Sequence, residues 1–313
     1  MAAYLGRRLL YIIPTALGVA TIVFLIIHLI PGDPVLAMLG DDAPMEAVED
    51  VRRKLGLDQP LSVQYMRFIG GLFRGELGVS IKAPRPVATE IRRVLPYTVQ
   101  LAGTAMLIGM SLGLPLGVTQ AVRRTTPLDF GASVVSVIWY SAPIFWVALL
   151  GMYFFSLRLG WFPLTGAGER GNLVSLLYHL SLPAITLGLR RIALVARMMR
   201  SSVLDVLGQD YIRTARSKGL NERVVIYRHA LKNAVIPVIT ASGMEFGTLL
   251  GGAVISEILF VRPGMGRLIV QGILGRDYPV VQGTLLVFAL IFMLVNLLVD
   301  VSYAAIDPRI RYN

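Results

Sequence analysis

Two adjacent arginines, Arg190 and Arg191, stand inside an apolar run from Leu180 to Met199. In hydrocarbon a charge at the centre of a span costs about 2.5–3.5 kcal/mol or more, so such residues face a cavity or a partner chain. The chemistry they offer is recognition of an anion. Two readings stay open: one arginine meets a carboxylate on a molecule held in that cavity, or it pairs with Glu245, the acid in the apolar run from Ala234 to Leu259, or with a second subunit. Glu245 itself either lines a channel or closes such a pair. Beyond it, Glu257 and the helix-breaking Pro263-Gly264-Met265-Gly266 are expected at an outer gate. Gly243, Gly247, Gly251 and Gly252 leave room for a close helix approach, and Asn296 and Asp300, four apart, are read as helix contacts.

Other chemistries find no residues to carry them. There is no Cys, hence no disulfide and no thiolate metal site, and His28, His179 and His229 lie too far apart for ligand spacing. No metal site and no catalytic residue are expected. None of the four lysines, Lys54, Lys82, Lys218 and Lys232, follows a glycine, so no Walker-type phosphate loop exists to hold ATP. The arginines are dispersed, which argues against nucleic acid as a partner.

Between the runs ending at Met199 and starting at Ala234 lies a basic loop with its own periodicity. Tyr211, Ala215 and Gly219 recur at i, i+4, i+8, and Gly219 suits the left-handed position that ends a helix. Asn221 is placed to cap a second helix, with Glu222 in its first turn. Val224, Tyr227, Arg228, Leu231 and Val235 continue that helix until Pro237 bends it. A short helix, a stop and a second helix form a rigid projection, which rigid-body motion of a docked partner can use as a lever. A loop that merely hugs lipid headgroups needs charge alone.

The elements that position these residues are membrane spans. Hydrophobic residues make up 55% of the 313-residue chain and charged ones 16%, and mean hydropathy is +0.66. Six windows of about 20 residues suit a hydrocarbon core of about 30 Å: Leu9 to Ile30, Val99 to Val122, Phe130 to Leu157, Leu180 to Met199, Ala234 to Leu259 and Val280 to Tyr303. The first lacks a small-residue cleavage site and reads as a retained span. Arg7 and Arg8, Arg123 and Arg124, eight basic against three acidic residues from Arg197 to Lys232, and Arg309 and Arg311 alternate onto one side. By the positive-inside rule both termini are cytoplasmic. The segment from Pro31 to Pro96 carries nine basic and nine acidic residues and falls outside, where Pro44 to Leu55 and Val87 to Leu95 read as short interfacial helices. The fold class is thus an all-α integral membrane protein with six transmembrane helices.

Taken with the loop, these features resemble the permease subunits of ATP-binding-cassette importers of the type I fold, in the dipeptide, oligopeptide and nickel family. The resemblance rests on Asp210, Tyr211, Arg213, Thr214, Ala215, Lys218 and Gly219, then Arg228, His229, Asn233 and Pro237. Pro31-Gly32-Asp33-Pro34, Gly56-Leu57-Asp58-Gln59-Pro60, Glu257, Pro263 to Gly266, Asp277-Tyr278-Pro279 and the ending Asp307 to Tyr312 extend it over the whole chain. Where sugar-type permeases begin the loop Glu-Ala-Ala, this chain has Arg213-Thr214-Ala215. The resemblance implies a first span with an extracytoplasmic helical insertion over 1–96, a type I core over 97–305 whose coupling loop covers about 201–233, and a cytoplasmic tail over 306–313. Tyr211, Arg213, Thr214, Ala215, Arg216, Lys218, Gly219 and Leu220 would contact the motor. It further implies a homologous second permease, two cytoplasmic ATPases that bind ATP and magnesium, and an extracytoplasmic peptide-binding protein, in a bacterial cytoplasmic membrane. The cargo is expected to be a di- or oligopeptide, with glutathione or chelated nickel as alternatives. A secondary transporter or channel would instead rely on ionisable midplane residues and internal repeats, and no repeat is found.

Overall fold

The computed structural model describes residues 2–29, 34–40, 43–169 and 171–306. Helices dominate: α1 Ala2–Leu29, α2 Pro34–Leu39, α3 Met45–Leu55, α4 Leu61–Phe73, α5 Val87–Val122, α6 Pro127–Ser141 and α7 Ile144–Gly151. They continue with α8 Leu173–Leu207, α9 Asp210–Ser217, α10 Glu222–Val224, α11 Leu231–Met244, α12 Phe246–Leu259, α13 Met265–Leu274 and α14 Tyr278–Ile306. π-Helical turns at Met152–Arg158 and Val225–Ala230 extend α7 and join α10 to α11. Among the described residues the only β pairing is an isolated bridge, Val79 to Pro86.

Among the described residues, three helices are long and apolar enough to cross a membrane: α5, α8 and α14 over Tyr278–Val299. Two bent pairs, α6 with the stretch from Ile144 to Arg158 and the stretch Glu222–Met244 with α12, make up to five spans by length and composition. α1 adds a shorter apolar stretch, Leu10–Ile26. α5 runs through 36 residues without a break, about 54 Å at 1.5 Å per residue, so Val87 to Leu95 is its first turns and no separate helix.

Two expected spans are not straight. Phe130 to Leu157 breaks at Ala142-Pro143, where the two helices meet at 102°. Proline disfavours helical geometry at the residue before it, and Ala142 is extended at φ −65°, ψ 132°. The fifth span bends by 48°, and the bend lies at Glu245, between α11 and α12, while Pro237 stays inside α11. At the bend the Glu245 carbonyl oxygen accepts both from the Thr248 hydroxyl at 2.8 Å and from the Leu249 amide at 3.3 Å.

The chain divides into two compact units, the residues up to Pro96 with Pro263–Leu294, and Tyr97–Arg262 with the helix from Val295 onward. Within the first, Val87 and Ile91 of α5 pack with Met265 and Val280, and Val23 of α1 packs with Ile269 and Val281. Asp277 is 3% exposed and accepts hydrogen bonds from Ser80 Oγ, from the Ile81 and Lys82 amides and from Val280 N, the last capping α14. This explains Asp277 physically: one buried carboxylate closes the loop ahead of α5 and starts α14.

In the second unit, α5 and α8 approach closely along Gly109, Gly113 and Gly117. A Cβ at Gly117 would lie 2.4 Å from the Ala196 carbonyl oxygen, so this stripe admits only glycine. On the fifth span the small residues divide: Gly243 faces Val299 and Gly252 faces Leu187, while Gly251 faces open space. Pro31-Gly32-Asp33 and Asp307 to Tyr312 lie outside the described residues, as does the side chain of Asp300.

Candidate functional site

The loop between α8 and α11 folds around a small apolar kernel. Ile212 and Ala215, on one face of α9, are 0% and 7% exposed and pack with Val225 and Ala230 against Val206 and Leu207. α9 stops in a Schellman closure: Gly219 sits at φ +76°, its amide donates to Arg216 O at 2.9 Å, and the Leu220 amide donates to Ala215 O at 3.4 Å. Asn221 then caps α10, its side-chain oxygen accepting from Arg223 N at 3.0 Å. Arg216 reaches across the turn to Glu222 with two bonds, 2.6 and 3.2 Å. That guanidinium holds the Glu222 carboxyl below its ordinary range. Asn233 Nδ2 donates to Tyr211 Oη at 2.9 Å, tying α9 to α11, and Ser202 Oγ donates to Ala234 O at 2.7 Å, joining α8 to α11.

The loop's other side chains divide between a buried and an exposed side. Ala215 is turned inward, where it completes the kernel beside Ile212. Arg216 is committed to Glu222 and acts as a clip across the turn. The buried face of the second helix is Val225, Ile226 and Ala230, whereas Val224 and Tyr227 are exposed. The π-helical turn at Val225–Ala230 inserts one residue per turn relative to an α-helix and rotates the face away from the 3.6-residue pattern. What α9 and its surroundings present outward is Tyr211, Arg213, Thr214, Ser217 and Lys218, with Leu220, Val224 and Tyr227 as an apolar rim. Leu220, Val224 and Tyr227 are 40%, 37% and 63% exposed.

The intramembrane charges resolve individually. Arg191 Nη1 pairs with Glu245 Oε2 at 2.6 Å, and its second nitrogen donates to Thr248 Oγ1, so Arg191 ties α8 to the bend between α11 and α12. Arg190 lies over the Tyr140 ring at 4.9 Å, and Arg197 lies over the same ring at 4.5 Å. One of the two arginines is thus internally paired, and the other is held by an aromatic face. Glu257 is 0% exposed and accepts from Thr98 Oγ1 at 2.6 Å. Arg262, also 0% exposed, stands over Tyr97 at 5.5 Å, and its guanidinium makes no hydrogen bond among the described residues. Pro263, Gly264 and Gly266 belong to the other unit. The helix break there falls at Phe260 to Gly264, with Val261 in the left-handed region at φ +50°, and Gly266 already lies in α13. Sequence reasoning missed Ile212, Glu222 as the partner of Arg216, and Arg262. Among the described residues no group of acidic and histidine side chains has metal-binding geometry.

Comparison with known proteins gives this helix–stop–helix projection its context. Residues 113–312 match the family described as binding-protein-dependent transport system inner membrane component, and residues 1–102 match its N-terminal companion family. The chain belongs to this family. The dipeptide transport system permease protein DppB of Alkalihalophilus pseudofirmus is 41% identical, and the glutathione transport system permease protein GsiC of Salmonella paratyphi A is 45% identical, each over the full length of both chains. A putative peptide transport permease of Brucella abortus is 44% identical over the same extent. Among solved structures, a chain of the inward-facing MetNI methionine ABC transporter superposes with a TM-score of 0.60 at 19% identity, covering 70% of this chain and 96% of that one. This permease therefore has the type I ABC importer membrane fold and is a multi-pass membrane subunit of such an importer.

Proposed function

We propose that this permease forms half of a peptide pathway and is driven from outside itself through α9. Its spans would pair with those of a homologous second permease in a bacterial cytoplasmic membrane, with both termini cytoplasmic. Two separate ATPases would bind ATP and magnesium, and an extracytoplasmic binding protein would deliver a di- or oligopeptide. Full-length identity of 41% to a dipeptide permease favours peptide cargo. Glutathione, itself a tripeptide, is the second reading, favoured by 45% identity to a glutathione permease.

One observation carries the proposal. α9 is fixed to its own spans through Ile212 and Ala215, while its far side, with Tyr211, Arg213, Thr214 and Lys218, is exposed. A lever needs this combination: an attachment stiff enough to move the spans and a free face on which to be moved. Closure of the ATPases around nucleotide would push α9 as a rigid body, and α8 and α11 would follow through the Tyr211–Asn233 and Ser202–Ala234 bonds. The chain lacks native cysteine, so Thr214→Cys gives a unique reactive position. Reconstituted with both ATPases, this variant is expected to cross-link to an ATPase subunit with a yield that changes with ATP. A cross-link formed only at Ile212→Cys, on the buried face, would contradict the proposal.

A further inference from the structure

We propose that the cavity between α5, α6 and α8 seats the headgroup of an aminophospholipid. It measures about 310 Å³ and is lined by Gln120, Ser133, Ser136, Arg197, Arg200 and Ser201, with Val137 and Ala193. Two of these groups have room for a ligand partner, the buried Gln120 amide and the exposed Arg197 guanidinium. Gln120 is 2% exposed and donates from Nε2 to Ser133 Oγ at 3.3 Å, but its Oε1 has no hydrogen-bond partner among the described residues. A buried acceptor left unsatisfied costs about 1–3 kcal/mol, so this oxygen calls for a donor. Arg197 touches the Tyr140 ring, and no carboxylate lies within ion-pair distance of it among the described residues. Arg200, by contrast, is matched by Asp129 through two bonds of 2.8 Å. The cavity therefore offers one unmatched positive charge, three hydroxyls and an orphaned acceptor. A ligand that satisfies all of them carries both an anion and an N–H donor.

Depth and surroundings select a lipid among such ligands. The apolar run of α8 ends at Met199, so Arg197, Arg200 and Ser201 fall where hydrocarbon gives way to headgroups. Val137 lines the cavity and is 55% exposed, and it continues into Phe130, Val134 and Ile138, exposed by 74%, 41% and 57% along the same face of α6. Acyl chains would cover that face, which a water-soluble zwitterion would leave bare. A phosphodiester accepts from Arg197 and from the Ser136 and Ser201 hydroxyls, while an ethanolamine ammonium donates to Gln120 Oε1. A choline headgroup satisfies the first requirement and fails the second, because its nitrogen bears no hydrogen.

The assembled importer, purified in mild detergent and stripped of lipid, is titrated with phosphatidylethanolamine or phosphatidylcholine of identical acyl chains, and retained lipid is counted by native mass spectrometry. Wild type is expected to hold one phosphatidylethanolamine about five-fold more tightly than phosphatidylcholine, the equivalent of one net hydrogen bond. Gln120→Met erases that preference without weakening phosphatidylcholine, and Arg197→Gln weakens both lipids. Equal retention of the two lipids by wild type, or an unchanged preference in Gln120→Met, overturns the proposal. Displacement of the lipid by excess inorganic phosphate would show a free-anion site, and displacement by a dipeptide would show a soluble-zwitterion site; either result overturns it too. Should Arg197→Gln fail to assemble, the headgroup preference of wild type and of Gln120→Met decides the matter.

Discussion

Gly219 is where the lever reading makes its sharpest demand. Its φ of +76° lies in the left-handed region, which costs an ordinary L-residue about 1–2 kcal/mol and a β-branched one at least as much. A Cβ at Gly219 would meet nothing within 4 Å, so the penalty of substitution is one of backbone conformation alone, with no clash to confuse it. Gly219→Val must either bear that strain or leave the left-handed region, giving up the amide bonds to Arg216 O and Ala215 O that close α9. One or two kcal/mol corresponds to about a 5–30-fold loss in the population of the closed geometry. In proteoliposomes with the ATPases and binding protein, Gly219→Val should assemble normally yet lose most of its peptide-stimulated ATP hydrolysis. Asn tolerates this region better than other residues, so Gly219→Asn should stay near wild type and Gly219→Ala should fall between. Wild-type stimulation in Gly219→Val, or equal loss in the Asn and Val variants, would refute the reasoning.

Three further outcomes follow from the buried and exposed pairs. Arg191→Met should lower the unfolding midpoint of the detergent-solubilised permease, with a loss of about 1–3 kcal/mol, below that of a fully buried pair because Glu245 keeps 40% exposure; adding Glu245→Gln should restore part of it. Glu257→Leu alone should be more destabilising, about 3–5 kcal/mol, because Glu257 and Arg262 are both 0% exposed and the carboxylate acts electrostatically on the buried guanidinium; Glu257→Leu with Arg262→Leu should recover most of the loss, and additivity of the two would show that the charges are not coupled. The Arg216–Glu222 clip is half exposed and is worth at most about 1 kcal/mol. Since Glu222 titrates below its ordinary range in the folded loop, the clip contributes fully above the unfolded carboxylate pKa and is lost as pH falls through the lower folded value. Hydrogen exchange of the Leu220 amide, corrected for its intrinsic pH dependence, should therefore accelerate only in acid, and Glu222→Gln should flatten that profile.

The parts of this molecule that were legible in the sequence are those decided by local chemistry. Gly219, Asn221 and Glu222 signal a stop and a restart because helix ends need a left-handed residue and a side-chain cap, whatever surrounds them. The break at Ala142-Pro143 was equally local, since proline constrains the residue before it, but hydropathy over Phe130 to Leu157 averages across the break. The stripe Gly109, Gly113, Gly117 also stood in the sequence at four-residue spacing. Other features depend on the whole fold. The inward turn of Ala215 and the exposure of Tyr227 follow from a π-helical turn with no composition of its own. Asp129 meets Arg200 across 71 positions, and Arg191 meets Glu245 across 54, pairings that only helix packing creates. For Arg191 and Glu245 the sequence narrowed the choice to a short set of partners, and tertiary structure picked one.

The most direct test is a structure of this permease assembled with its ATPases. α9 should lie in a groove of an ATPase subunit, with Tyr211, Thr214 and Lys218 covered and Ile212 still packed on Val225 and Ala230. An assembly in which that outer face meets only solvent or phospholipid, while the ATPases grip another part of the chain, would contradict it.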